Sequence, residues 1–183
     1  MIRPPAFCLP FCLCLPPAGG QSLPVRKPGL WEIAVRAEGD SLVRQQKVQQ
    51  CTDAGTDAVL LMAVVPGQAD CHESSIRERE GRYDVRTVCY VHDNRVEAHV
   101  QLSGSFSTAY EGRFDVKYAR PVRHNPGPTR FEGRWLGACT AGMRPGDMVL
   151  PNGVTLRIAQ RRGQREGREG YSPRGDGGAK AGP

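Results

Sequence analysis

The stretch SFSTAYEGRFDVKY, Ser105 to Tyr118, alternates strictly. Phe106, Thr108, Tyr110, Gly112, Phe114, Val116 and Tyr118 fall on one side. Ser105, Ser107, Ala109, Glu111, Arg113, Asp115 and Lys117 fall on the other. A period of two with one apolar, aromatic side is the signature of a β-strand that covers a core and faces water on its back. Such a strand belongs to an antiparallel sheet. Gly112, near its middle, suggests a bend or bulge.

The flanking sequence repeats the pattern. Trp31, Ile33, Val35 and Ala37 alternate with polar residues, and a weaker strand runs from about Leu42 to Gln50. Tyr83 to Val91, Val96 to Leu102 and Phe131 to Cys139 follow the same rule. Asp93-Asn94 and Ser103-Gly104 suit two-residue hairpin turns. Met148–Leu150 and Val154–Leu156 flank Pro151-Asn152-Gly153 as a terminal hairpin. Thr52 can cap a single helix, with Asp53 and Asp57 at its positive end. Leu60, Leu61 and Val64 form its apolar face, and Pro66-Gly67 ends it. The expected fold is mainly β (α+β): an antiparallel meander of about seven strands, curled toward a partial barrel, with one short helix packed on it.

Hairpin register bears on the cysteines. A three-residue loop Arg79-Glu80-Gly81, with Gly in the left-handed position, sets Glu78 opposite Arg82 and therefore Cys71 opposite Cys89. Facing positions are close enough for a disulfide. Cys51 and Cys139 are then left to each other, and would close a loop of nearly ninety residues. The rival for these four cysteines is a zinc site, but their spacings contain no C-x-x-C pair.

The ends of the chain differ from its middle. Met1-Ile2-Arg3, an apolar run from Ala6 to Leu15 and the small residues Ala18, Gly19 and Gly20 follow the plan of a secretory signal peptide over residues 1–20. Its removal discards Cys8, Cys12 and Cys14 and leaves an even number of cysteines, as an oxidising compartment favours. Residues 160–183 are rich in Gly and Arg and poor in apolar groups, which predicts a disordered tail. Residues 21–159 remain as one disulfide-stabilised β-meander domain. The formal charge of the 183 residues is +6. The tail supplies half of it and Arg3 one more, so the basic balance of the domain is small and no nucleic acid is expected as a partner. No apolar run reaches the roughly 18 residues that a membrane span needs.

Motifs for chemistry are absent from the sequence: no G-x-S-x-G, no P-loop and no H-E-x-x-H. Of the histidines His72, His92, His99 and His124, His92 sits beside Asp93 at a turn. His72 and His99 are each expected opposite Val88, on the face away from the core. No catalytic residue, metal or cofactor follows, and the chain is expected not to be an enzyme. Shape is what remains. Phe106, Tyr110, Phe114, Tyr118, Phe131 and Trp135 would line the concave side of a curled sheet, where they either surround a small apolar ligand or, with the helix, fill the core.

Several segments resemble a known family when read together. They are Pro28-Gly29-Leu30-Trp31-Glu32-Ile33, Gln49-Gln50-Cys51-Thr52, Glu132-Gly133-Arg134-Trp135-Leu136-Gly137-Ala138-Cys139, Arg144-Pro145-Gly146-Asp147-Met148 and Pro151-Asn152-Gly153. Over about residues 27–157 the chain resembles domain-of-unknown-function family 3617, small exported proteins that are mostly proteobacterial. The resemblance implies a periplasmic or secreted protein with four cysteines, and carries over no activity and no catalytic residues. The Pro-rich leader and the Gly/Arg-rich tail depart from the family pattern. The functional expectation is a non-catalytic exported domain that binds a small apolar ligand or a protein partner. The alternative is an envelope accessory protein acting through surface contacts, and an enzyme of unknown type ranks behind both.

Overall fold

The computed structural model describes residues 21–39, 45–68, 71–123, 125 and 127–158. The leader at 1–20, the tail at 160–183, His124 and the start of the strand expected at Leu42 lie outside the described residues.

Among the described residues, nine strands form one antiparallel sheet. They are β1 (Gly29–Ala37), β2 (Gln46–Thr52), β3 (Cys71–Arg79), β4 (Arg82–Val91), β5 (Asn94–Ser105), β6 (Ala109–Tyr118), β7 (Thr129–Gly137), β8 (Asp147–Val149) and β9 (Thr155–Arg157). The spatial order is β3-β4-β5-β6-β7-β1-β2-β8-β9. Only β3 to β7 run as a meander. The first two strands of the chain dock beyond β7, and the terminal hairpin extends the same sheet past β2. The sheet stays open, with β3 and β9 as its edges. One helix, α1 (Asp57–Met62), packs on it.

The alternation around Tyr110 translates directly into burial. Tyr110, Phe114 and Val116 are buried, whereas Glu111, Arg113 and Lys117 face solvent. The strand starts later than the alternation does. β5 continues through Ser103 and Gly104 to Ser105, which pairs with Ala109, so Phe106-Ser107-Thr108 make the turn. Gly104 is tolerated in the strand because it sits against the Tyr110 backbone, with a φ of 114° and a Cβ position only 2.9 Å from Tyr110 Cα.

Two further hairpins also close differently from the sequence expectation. Arg79 pairs with Arg82, leaving a two-residue loop Glu80-Gly81 with φ of 54° and 74°. Positive φ at both loop positions is the turn geometry whose twist matches the flanking strands. That register alone would put the cysteines out of step. A bulge at His72 takes up the extra residue, and Cys71 again faces Cys89. His72 is therefore not opposite Val88. In the next hairpin His92-Asp93 form the loop, with φ of 48° and 60°, and Val91 pairs with Asn94. Asn94 stays in β5 because its side-chain amide exchanges two hydrogen bonds with the Arg120 backbone. His99 consequently faces Arg86 rather than Val88.

The helix is also shorter than its pattern. Thr52 ends β2, and Asp53 instead organises the turn: its Oδ1 accepts from the Gly55 and Thr56 amides and the Thr56 hydroxyl. The helix then covers six residues. Leu60 and Leu61 are buried in the core with Trp31, Ile33, Val100 and Phe131, and a helix this short persists only through such packing.

Candidate functional site

An apolar opening lies between α1 and the β3–β4 end of the sheet. It is a cleft of about 500 Å³. Ala58, Val59, Met62 and Ala63 form the helical wall, and Ile76, Val85 and Thr87 form the sheet wall. Leu23 and Ile158 close its ends. Gln68, His72, Glu73, Ser74 and Thr87 bring polar groups to its border. The Gln68 side chain donates to Thr87 Oγ1 at 3.1 Å.

The helical wall is held from behind by a buried polar network. Arg26 precedes β1, and its side chain is fully buried. Its Nε donates to Asp57 Oδ1 at 2.7 Å and its backbone amide to Asp57 Oδ2 at 2.8 Å. Nη1 donates to Gln50 Oε1 at 2.8 Å and to the Tyr110 hydroxyl at 3.1 Å. Thr52 donates to Asp57, and Gln50 Nε2 donates to the Leu60 carbonyl. The guanidinium lies near the Trp31 and Tyr110 rings, at 5.6 and 5.7 Å from their centroids. Burial pushes the Tyr110 phenol pKa up, and Arg26 only partly offsets this. The network therefore ties both ends of α1 to β2 and to the segment that enters β1. A buried charge pair is tolerable when most of its hydrogen bonds are met in this way; among the described residues Arg26 Nη2 is the buried side-chain nitrogen left without a partner.

None of the six aromatic residues expected to surround a ligand lines the cleft. Tyr110, Phe114 and Phe131 are buried in the core. Phe106 is half-buried and stacks on Tyr110 at 5.5 Å. Tyr118 and Trp135 are half-buried at the margin, where Trp135 donates to the Pro28 carbonyl and carries Lys27 Nζ 3.5 Å from its ring centroid. The reason is glycine. Gly112 faces Phe131 and Gly133 faces Tyr110 across the β6–β7 pair. The Phe131 ring lies over Gly112 and the Tyr110 ring over Gly133, in the space a side chain would take.

The cysteines join as Cys51–Cys139 and Cys71–Cys89. The first ties β2 to the chain beyond β7. The second ties the edge strand β3 to β4, and Cys71 borders the cleft. His99 Nε2 lies 2.5 Å from Asp84 Oδ2 on the solvent face. Burial raises the Asp84 pKa, but the His99 and Arg86 hydrogen bonds outweigh it and hold the carboxyl below its usual value. His72 packs edge-on against Tyr90. Among the described residues no three His, Cys, Asp or Glu side chains come together as metal ligands. A second groove, of about 860 Å³, is lined by interleaved arginines and carboxylates at the far end of β3–β6.

A family model described as protein of unknown function (DUF3617) matches residues 26–139, more than half of the chain. The chain belongs to the DUF3617 family. The matched segment begins at Arg26 and ends at Cys139, so it contains the whole Arg26 network and both disulfides. No curated protein and no solved structure matches the chain. The terminal β8–β9 hairpin lies beyond the matched residues.

Sequence reasoning missed the Arg26 network. Gln50 carried a readable signal, since it sits between Val48 and Thr52 on the buried face of β2. A polar side chain on an apolar face needs an internal partner. Arg26 carried none, because it lies in an irregular segment with no period to place it.

Proposed function

We propose that this DUF3617 protein is an exported, non-catalytic binding domain that holds a small apolar ligand in the cleft between α1 and β3–β4. The cleft carries the reading. It is concave, walled largely by aliphatic side chains and of a size typical for small-molecule sites. Its helical wall is fixed by the buried Arg26–Asp57 pair, which favours a preformed site. The two disulfides are compatible with an oxidising compartment, and among the described residues no helix is long and apolar enough to cross a membrane. Cleavage after Gly20 would release the domain.

Native mass spectrometry of periplasmic material, combined with binding of an environment-sensitive apolar dye, tests the proposal. The expected result is a mass without residues 1–20 and with two disulfides, together with a retained ligand or saturable dye binding. Val59→Asp, which places a charge in the cleft, should weaken dye binding by about tenfold or more. Protein that carries no ligand and takes up no dye, or a V59D variant that binds dye as well as the parent, overturns the reading.

A further inference from the structure

β3 is an edge strand with one neighbour, β4. In an antiparallel ladder, the backbone groups of alternate residues point toward the partner and away from it. Glu78 shows which set points away. Its amide donates to Gln21 Oε1, and its carbonyl accepts from Gln21 Nε2, so the Gln21 side chain acts as a one-residue stopper on the edge. By the same alternation the peptide groups of Ser74 and Ile76 also point outward. Among the described residues these two have no backbone partner on that side.

Charge usually protects such an edge, because like residues repel when two copies approach. Here the charges are arranged the other way. Glu73 and Arg77 lie four residues apart on the same face, and among the described residues neither belongs to an ion pair; Asp84 of β4 faces Arg77 but is already bonded to His99 and Arg86, and Arg95, the charge near Glu73, is already bonded to Glu97. In a strand Glu73 and Arg77 are too far apart to meet each other. A twofold axis through Ser75 sets Glu73 of each copy opposite Arg77 of the other. It also sets Ser74 opposite Ile76, so the open peptide groups pair. Glu73–Arg77 then occupy the non-hydrogen-bonded positions, where facing side chains come closest. Shifting the register one way needs the Glu78 groups that Gln21 already holds. Shifting it the other way leaves both charges without an opposite.

We propose that β3 pairs antiparallel with β3 of a second copy about Ser75, joining two sheets into one. His72, Ser74 and Ile76 of β3 also border the apolar cleft, so the pairing brings two clefts side by side. The contact is short, so the dimer dissociates on dilution.

Sedimentation velocity of the full-length, disulfide-intact protein, from low micromolar to near millimolar, tests this. The parent should move from monomer to dimer. Glu73→Arg and Arg77→Glu should each weaken association by about tenfold. An equimolar mixture of the two variants should associate again, because each supplies the charge the other lost. The doubly exchanged E73R/R77E protein should dimerise with itself. A parent that stays monomeric, a dimer indifferent to either single change, or a failure of both the mixture and the double exchange to associate overturns the proposal.

Discussion

Arg26 and Asp57 are joined twice, through the Arg26 side chain and through its backbone amide, with both side chains almost wholly out of water. The pair connects the chain just before β1 to the first turn of α1. Removing one partner strands a charge in a site built for two. Asp57→Ala should therefore cost about 3–5 kcal/mol in urea denaturation with the disulfides intact. The double change Arg26→Met with Asp57→Leu should recover much of that loss, because no unpaired charge remains. A D57A cost well under 1 kcal/mol would show that the pair does not hold the helix.

Gly133 and Tyr110 make a second dependent pair. A Cβ on Gly133 would sit 2.1 Å from Tyr110 Cε1, and one on Gly112 would sit 2.3 Å from Phe131 Cζ. These are ring atoms of buried side chains, so the neighbours have little room to yield. Gly133→Ala and Gly112→Ala should each destabilise the domain by about 1–3 kcal/mol. The near-ultraviolet circular dichroism should change with them, because the rings must tilt. Unchanged melting in both variants would mean that the rings can lift off the sheet without cost.

The same glycines explain how much could be read in advance. Alternation located the strands around Trp31, Val85, Val100, Phe114 and Phe131, since each buried side chain sits two residues from the next. Strand order was not legible. Nothing local in Gly29–Ala37 states that β1 lies against β7 rather than at an edge; that pairing depends on sequence-distant contacts. The hairpin registers were missed as well: the β3–β4 loop is one residue shorter, the β4–β5 loop sits one position earlier, and the β5–β6 turn falls at Phe106-Ser107-Thr108. Glu80, His92 and Asp93 adopt positive φ without being glycine, which residue preference alone does not foresee. The cleft was invisible because its walls include short aliphatic residues, Ala58, Val59 and Ile76, while the conspicuous aromatics Tyr110, Phe114 and Phe131 went into the core. The buried Arg26 offered no pattern at all.

The two disulfides should contribute unequally. Cys51 and Cys139 are 88 residues apart, and Cys71 and Cys89 are 18 apart. On chain entropy alone, the longer loop restricts the unfolded state more, by about 1.4 kcal/mol. Cys51→Ala with Cys139→Ala should accordingly lower stability more than Cys71→Ala with Cys89→Ala, as read from paired denaturation curves. The reverse order would indicate that tethering the edge strand β3 matters more than loop length.

Glu38 gives the domain a defined response to acid. Its carboxylate accepts from Arg130 Nε at 2.5 Å and from Arg113 Nε at about 3 Å. Arg130 holds the carboxyl below its usual pKa; desolvation opposes this, and Arg113 reinforces it. The folded-state pKa is thus lower than the unfolded one, and between the two values the unfolded chain binds more protons. The resulting stability is full above the unfolded value and fades as the pH falls through the folded value. The stability difference between the parent and Glu38→Gln should be constant near neutrality, start to shrink below about pH 4.3 and vanish at lower pH. High salt should reduce it throughout, because the arginines are partly exposed and such pairs are screened. A difference that persists unchanged down to pH 2 would mean that Glu38 acts by its shape and hydrogen bonds rather than by its charge.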